Sequence, residues 1–179
     1  MDRRALVQLL ENYSSPFQEE QHFKSQFLEL LKAANAFQRT HLPGHITGSA
    51  WVVNNDATKT LLVHHAKLNK WVQPGGHADG DENILTVALR EAEEETGLSD
   101  FKIEVSIFDI DIHTIPERKD FPEHQHYDIR FLLRADENNL IIVSEESHDV
   151  KWIPIDQLKN YTTERSVLRM SEKNLAWTS

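Results

Sequence analysis

The chain has 179 residues, 39% hydrophobic and 27% charged, a composition that suits one globular domain with a sizeable core and excludes a disordered or fibrous chain. Its 29 acidic against 19 basic residues give a net charge of −10, which repels nucleic-acid polymers and anionic membranes and leaves small molecules as the expected partners. Without cysteine there is no disulfide, thiolate nucleophile or Cys-ligated zinc, and with neither a leader-like N-terminus nor an apolar run near the roughly 18–20 residues that span a bilayer, a cytoplasmic location is expected.

Residues 1 to about 39 read as helical. Leu6, Leu9 and Leu10 suit a short first helix, which the Ser14-Ser15-Pro16 break ends. Ser15 before Pro16 resembles an N-cap with proline at the first helical position. The helix that follows carries Phe23, Phe27, Leu30, Leu31, Ala34 and Phe37 at helical spacing, a stripe that packs in a core or an interface. From His45 the pattern changes to strands: Ile46 to Val53 and Lys59 to His65, joined by a turn at Asn54-Asn55-Asp56. Trp71-Val72-Gln73 is a short extended run that Pro74-Gly75-Gly76 stops. Ile84 to Thr96 is strongly helical and ends at Gly97, a natural helix terminator. Further strands are expected at Phe101 to His113, Tyr127 to Leu133 and Val150 to Ile153, then helical segments near Ile155–Leu158 and Thr163–Ala176. Strands around a central helix imply an α/β layered domain, divided here into a helical extension, residues 1–40, and a main domain, residues 41–179.

The central helix carries the chemistry. At about 100° per residue, Ile84, Leu85, Ala88, Leu89 and Ala92 share one apolar face, and Glu91, Glu94 and Glu95 occupy a neighbouring arc. Carboxylates spaced i, i+3 and i+4 repel one another unless a cation sits among them. A hard divalent ion with oxygen ligands would do so; a merely solvated acidic face is the alternative.

The segment around the helix bears on that choice. Gly76 is followed after five residues by Glu82, and after seven more by Arg90-Glu91-Ala92-Glu93-Glu94-Glu95-Thr96-Gly97-Leu98. This resembles the signature of the Nudix hydrolases, G-x5-E-x7-R-E-U-x-E-E-x-G-U with U aliphatic, and every specified position is matched. The resemblance implies a Nudix-type α/β/α sandwich with a mixed β-sheet, preceded here by the N-terminal helices. It implies a Mg²⁺ or Mn²⁺ ion held by Glu94 and Glu95, with Glu91 as ligand or base and the backbone carbonyl of Gly75 completing the set. By the same resemblance Arg90 holds the carboxylates in place, Gly76 and Gly97 serve backbone geometry, and Glu82 sits in an outer shell or closes its loop onto the helix. The implied reaction is attack of water on one phosphorus of a diphosphate linked to another group. In many relatives a downstream loop supplies the base, and the counterparts here are Glu145 and Glu146. A homodimer is the assembly the resemblance implies.

A second resemblance concerns histidines. The run His45-Ile46-Thr47-Gly48-Ser49-Ala50-Trp51, the Gly76-His77 pair and His126-Tyr127-Asp128 are similar to parts of isopentenyl-diphosphate isomerases. By that analogy His45, His77, His126 and Asp128, with His41, form a second divalent metal site; lining of the substrate pocket is the other reading. His126 and Asp128, two apart on a strand, face one side, and His124 joins them if the strand reaches back that far. His64 and His65 read as ordinary strand residues. Isomerase activity is disfavoured because the cysteine of those enzymes is replaced by Gly75. A binding or regulatory module without catalysis is the rival from another class, and the intact signature argues against it. For substrate, a nucleoside diphosphate derivative such as ADP-ribose is preferred, then a nucleoside triphosphate, then a non-nucleotide diphosphate. Tyr127 and Trp51 are the candidates to stack on a base.

Overall fold

The computed structural model describes residues 1–119 and 121–178. Two helices open the chain, α1 (Arg3–Asn12) and α2 (Gln18–Leu30). Strands β1 (Gly44–Val53), β2 (Lys59–His65), β3 (Lys70–Val72) and β4 (Gly75–His77) follow, then helix α3 (Ile84–Thr96). Strands β5 (Lys102–Ile115), β6 (His124–Arg134) and β7 (Ser147–Pro154) come next, with a 3₁₀ turn (Ile155–Asn160) and helix α4 (Arg165–Thr178) closing the chain. The strands form one mixed sheet in the order β3-β2-β1-β6-β5, with β4 also pairing β1 and β7 also pairing β2. β1 and β6 run parallel, Gly44 opposite Gln125 through Val53 opposite Arg134, and the remaining pairings are antiparallel.

Alternation along β1 divides the layers. Ile46, Ala50 and Val52 face α3 and the N-terminal helices, while Trp51 and Val53 face the 3₁₀ turn and α4, where Val167 and Met170 pack. Helix α3 lies on β1 because Gly48 has no side chain: a Cβ there would stand 3.0 Å from the Ile84 carbonyl oxygen and 3.2 Å from a Val87 methyl. The buried face of α3 includes Val87 with Ile84, Ala88 and Ala92, and Leu85 and Leu89 are only half-buried, so the helix is rotated from the face read in the sequence.

Other boundaries differ too. Helix α2 begins at Gln18, because the Ser15 hydroxyl accepts from the Phe17 amide and donates to Glu20 instead of capping at Pro16. It ends at Leu30, and Phe37 is buried from a run of turns. The Pro-Gly-Gly stop turns directly into β4, a strand that its two glycines concealed.

The N-terminal helices share the main core: Leu6, Leu10, Phe27, Leu31 and Phe37 cluster with Ile46, Ile84 and Phe131. A buried polar network also ties them down. Glu20 accepts from Lys173 Nζ at 2.6 Å and from the Ile110 amide at 3.1 Å. Lys173 also reaches Asp109, which accepts in addition from Arg130 at 3.1 Å and from Arg169 at 2.7 and 2.9 Å. Among the described residues, no helix is long and apolar enough to cross a membrane.

Candidate active site

Helix α3 starts where the Asn83 side chain accepts from the Thr86 amide and stops at Gly97, whose φ of 69° is the left-handed conformation glycine adopts freely. Between these ends the three glutamates leave the helix at graded depth. Glu95 is buried, the Glu91 side chain is 15% exposed and that of Glu94 60%. The Gly75 amide donates to Glu95 across 3.3 Å. Gly76 packs so closely on Glu91 that a Cβ there would stand 2.4 Å from its carboxyl carbon. Arg90 lies between two carboxylates, 2.9 Å from Glu91 and 3.3 Å from Glu94, and donates to the His77 carbonyl at 3.3 Å. Strand β4 therefore forms one wall of the acidic site.

Burial pushes the Glu95 carboxyl up to about 8, the Glu91 charge adds to that, and the Gly75 amide works against it. Burial also raises Glu91, against the pull of Arg90. Buried Glu95, mostly buried Glu91 and exposed Glu94 along one helix, with one arginine among them, form a site short of positive charge, although their oxygens are not gathered within 4.8 Å of one another. Oxygen donors short of a counter-charge fit a hard divalent cation such as Mg²⁺ or Mn²⁺.

The acidic loop after β6 is pinned at two points. The Ile142 amide donates to the Thr96 carbonyl at 2.8 Å, and the Ala66 amide donates to the Glu146 carbonyl at 2.9 Å. Of the two loop acids named from the sequence, Glu146 is the one whose charge acts on both Glu91 and Glu95. Glu145 and Glu146 are both exposed on that loop. The Glu82 carboxylate takes the Arg3 guanidinium at 2.9 Å, tying its loop to α1. Trp51 and Tyr127 are core residues, Trp51 fully buried and Tyr127 edge-on to Phe27, so neither presents a face to a base.

The opposite face of the sheet carries three polar rows. Cross-strand register aligns His113, His126 and His45, then Asp111, Asp128 and Thr47, then Asp109, Arg130 and Ser49. His77, on β4, brings its ring within 5.3 Å of His45 and 4.9 Å of His126. The structure thus joins His45, His77 and His126, and strand β6 does reach back to include His124. Asp128 is held apart from them: its oxygens accept from Thr47, Ser49, Gln73 and Arg130, at 2.7 to 3.3 Å. His41 donates to the Gly44 carbonyl at 2.6 Å, and His64 stacks on Trp71. Of this group, His113, Asp111 and Asp109 are marked in the sequence only by their strict alternation along β5.

A mixed sheet with an acidic helix laid against a glycine strand defines a Nudix-type hydrolase, and the comparisons agree. Residues 44–171 match the family model described as the NUDIX domain, so the chain belongs to the Nudix family. A protein of Lactococcus lactis subsp. cremoris named "Probable DHNTP pyrophosphohydrolase" is 30% identical over 112 residues, 62% of this chain and 67% of that one. The rat "Bis(5'-nucleosyl)-tetraphosphatase [asymmetrical]" is 27% identical over 113 residues, 59% of this chain and 70% of that one. In fold, a MutT protein from Methanosarcina mazei superposes with a TM-score of 0.62 at 20% identity, covering 76% of this chain and 96% of that one. The chain is a Nudix hydrolase.

Proposed function

We propose that the chain is a Mg²⁺- or Mn²⁺-dependent pyrophosphohydrolase that cleaves a phosphoanhydride bond in a small phosphorylated compound by attack of water on phosphorus. The observation that carries this reading is the buried Glu95 carboxyl, held by the Gly75 amide beside Glu91 and Glu94. Glu91, Glu94, Glu95 and the Gly75 carbonyl would hold the cation, which supplies Lewis-acid activation and neutralises charge on the phosphates. Arg90 positions Glu91 and Glu94. Glu146, on a loop held by the Ala66 amide at its own carbonyl and by the Ile142 amide, takes the proton from the attacking water. Arg39 stands at the rim, paired with Asp79 and within electrostatic reach of Glu91, His45 and His77, where its charge favours phosphate oxygens. It precedes the segment matched by the family model, so the N-terminal part would contribute to the site.

For substrate, the names of the relatives favour a base carrying three or four phosphates over ADP-ribose. The test is to incubate the metal-free protein with a panel of nucleoside and pterin tri- and tetraphosphates and ADP-ribose, with and without Mg²⁺ or Mn²⁺, and identify products by mass. Cleavage that stops with EDTA, returns with metal and is lost in Glu94→Gln is the expected result. Hydrolysis that persists with EDTA, or an active Glu94→Gln protein, refutes the site.

A further inference from the structure

The histidines on the far side of β4 form an arrangement that the hydrolytic site does not use. The rings of His45, His77 and His126 make a near-equilateral triangle, with centroids 5.3, 5.0 and 4.9 Å apart. One nitrogen from each lies within 4.8 Å of the others. His45 is fully buried, and its Nε2 has no hydrogen-bond partner. Its Nδ1 lies 3.4 Å from the His41 carbonyl, which can only accept, so Nδ1 carries the proton and Nε2 presents a bare lone pair. A ligating histidine that donates its second ring N–H to a backbone carbonyl is the usual outer-shell pattern of metal sites.

His124 repeats that pattern. Its Nδ1 donates to the Pro122 carbonyl at 2.9 Å, which leaves its Nε2 lone pair 3.3 Å from His126 Nε2. Two nitrogens bound to one tetrahedral ion at about 2.0–2.1 Å stand roughly 3.3 Å apart.

We propose that His45, His77 and His126, with His124 adjoining at His126, form a site for a divalent transition-metal ion such as Zn²⁺. Imidazole donors without a carboxylate select Zn²⁺ and its neighbours over Mg²⁺. Asp128 is excluded because its oxygens are already engaged. The site is distinct from the glutamates, since along β4 the backbone of Gly76 meets Glu91 on one face while Gly75 and His77 turn to the other. An ion there would fasten β4 to β1 and β6, and with it the wall on which Glu91 and Glu95 rest. The proposal does not depend on which compound is hydrolysed.

The test uses the full-length protein stripped of metal and then equilibrated with Zn²⁺ or Co²⁺. Bound zinc is counted by elemental analysis, and the cobalt form is read by its visible absorption. Wild type and a Glu94→Gln/Glu95→Gln variant should each retain one Zn²⁺ and give the intense bands of a tetrahedral nitrogen set with Co²⁺. His126→Ala and His77→Ala should weaken Zn²⁺ by more than the roughly 10–100-fold that loss of an outer-shell partner costs. His77 lies half-exposed on a short strand, so His77→Ala serves if His126→Ala fails to fold. Wild type that retains no Zn²⁺, a weak octahedral cobalt spectrum, or unchanged Zn²⁺ affinity in His77→Ala would overturn the proposal.

Discussion

Gly76 and Glu91 touch: a methyl group on Gly76 would fall 2.4 Å from the Glu91 carboxyl carbon and within 2.6 Å of both its oxygens. The glycine is needed for space, since its φ is not among the positive ones. Gly76→Ala must push Glu91 away or shift β4, and a displacement near 1 Å in a catalytic array costs on the order of 100-fold in rate. The expected result is a folded protein with kcat reduced on that order, measured by steady-state hydrolysis beside thermal unfolding. Unchanged kcat would show that the Glu91 position is unimportant.

The two loop acids should separate cleanly. Glu146 acts electrostatically on Glu91 and Glu95, and its loop is fixed by the Ala66 and Ile142 amides. Glu146→Gln is expected to lower kcat by about 100-fold or more, the scale of a lost general base, with little change in KM. Glu145→Gln should stay near wild type. Equal losses in both variants would overturn the choice of Glu146 over Glu145, and no loss in either would return the base to Glu91.

Asp109 sits fully buried among Arg130, Arg169 and Lys173. Removing one partner from such a group leaves uncompensated charge, which typically costs about 3–5 kcal/mol, so Asp109→Ala should be destabilised by that amount in urea unfolding. A loss below about 1 kcal/mol, the scale of a surface ion pair, would mean the network is largely solvated.

The same group predicts an acid limb. Burial opposes ionisation of Asp109, but Arg169, Arg130 and Lys173 outweigh it and hold the carboxyl below its usual range. Asp111 is likewise lowered, with burial outweighed chiefly by Arg130. A depressed carboxyl stabilises the fold fully above its unfolded value of about 3.9 and loses that contribution as pH falls through the folded value. The melting temperature should therefore drop steeply below about pH 4. In Asp109→Ala the drop should be shallower; an identical profile would place the acid sensitivity elsewhere.

The N-terminal helices should prove inseparable from the rest. Leu6, Leu10, Phe27, Leu31 and Phe37 are at most 4% exposed, and each contributes about 1.5–3 kcal/mol of burial. Their sum is comparable with the roughly 5–15 kcal/mol that holds a whole domain together. Deleting residues 1–40 should give a chain without a cooperative melting transition in circular dichroism. A truncated protein that melts cooperatively would make residues 1–40 a separable extension.

Sequence alone placed the acidic helix. Glu91, Glu94 and Glu95 on a helix from Ile84 to Thr96, closed by Gly97, follow from spacing, because helix geometry and the left-handed terminator are local properties. Strand facing was legible for the same reason: His126 and Asp128 do share a side. What lay beyond reach depends on partners distant in the chain. That Glu82 answers to Arg3, that Asp128 is taken by Ser49 and Arg130, and that His77 meets His45 and His126 are consequences of sheet order and register. The parallel pairing of β1 with β6 sets His45 beside His126 across 81 residues of chain, and no local propensity encodes such a contact. The sequence by itself determined which groups can do chemistry; only the packing of β4 between α3 and β1 decided which of them meet.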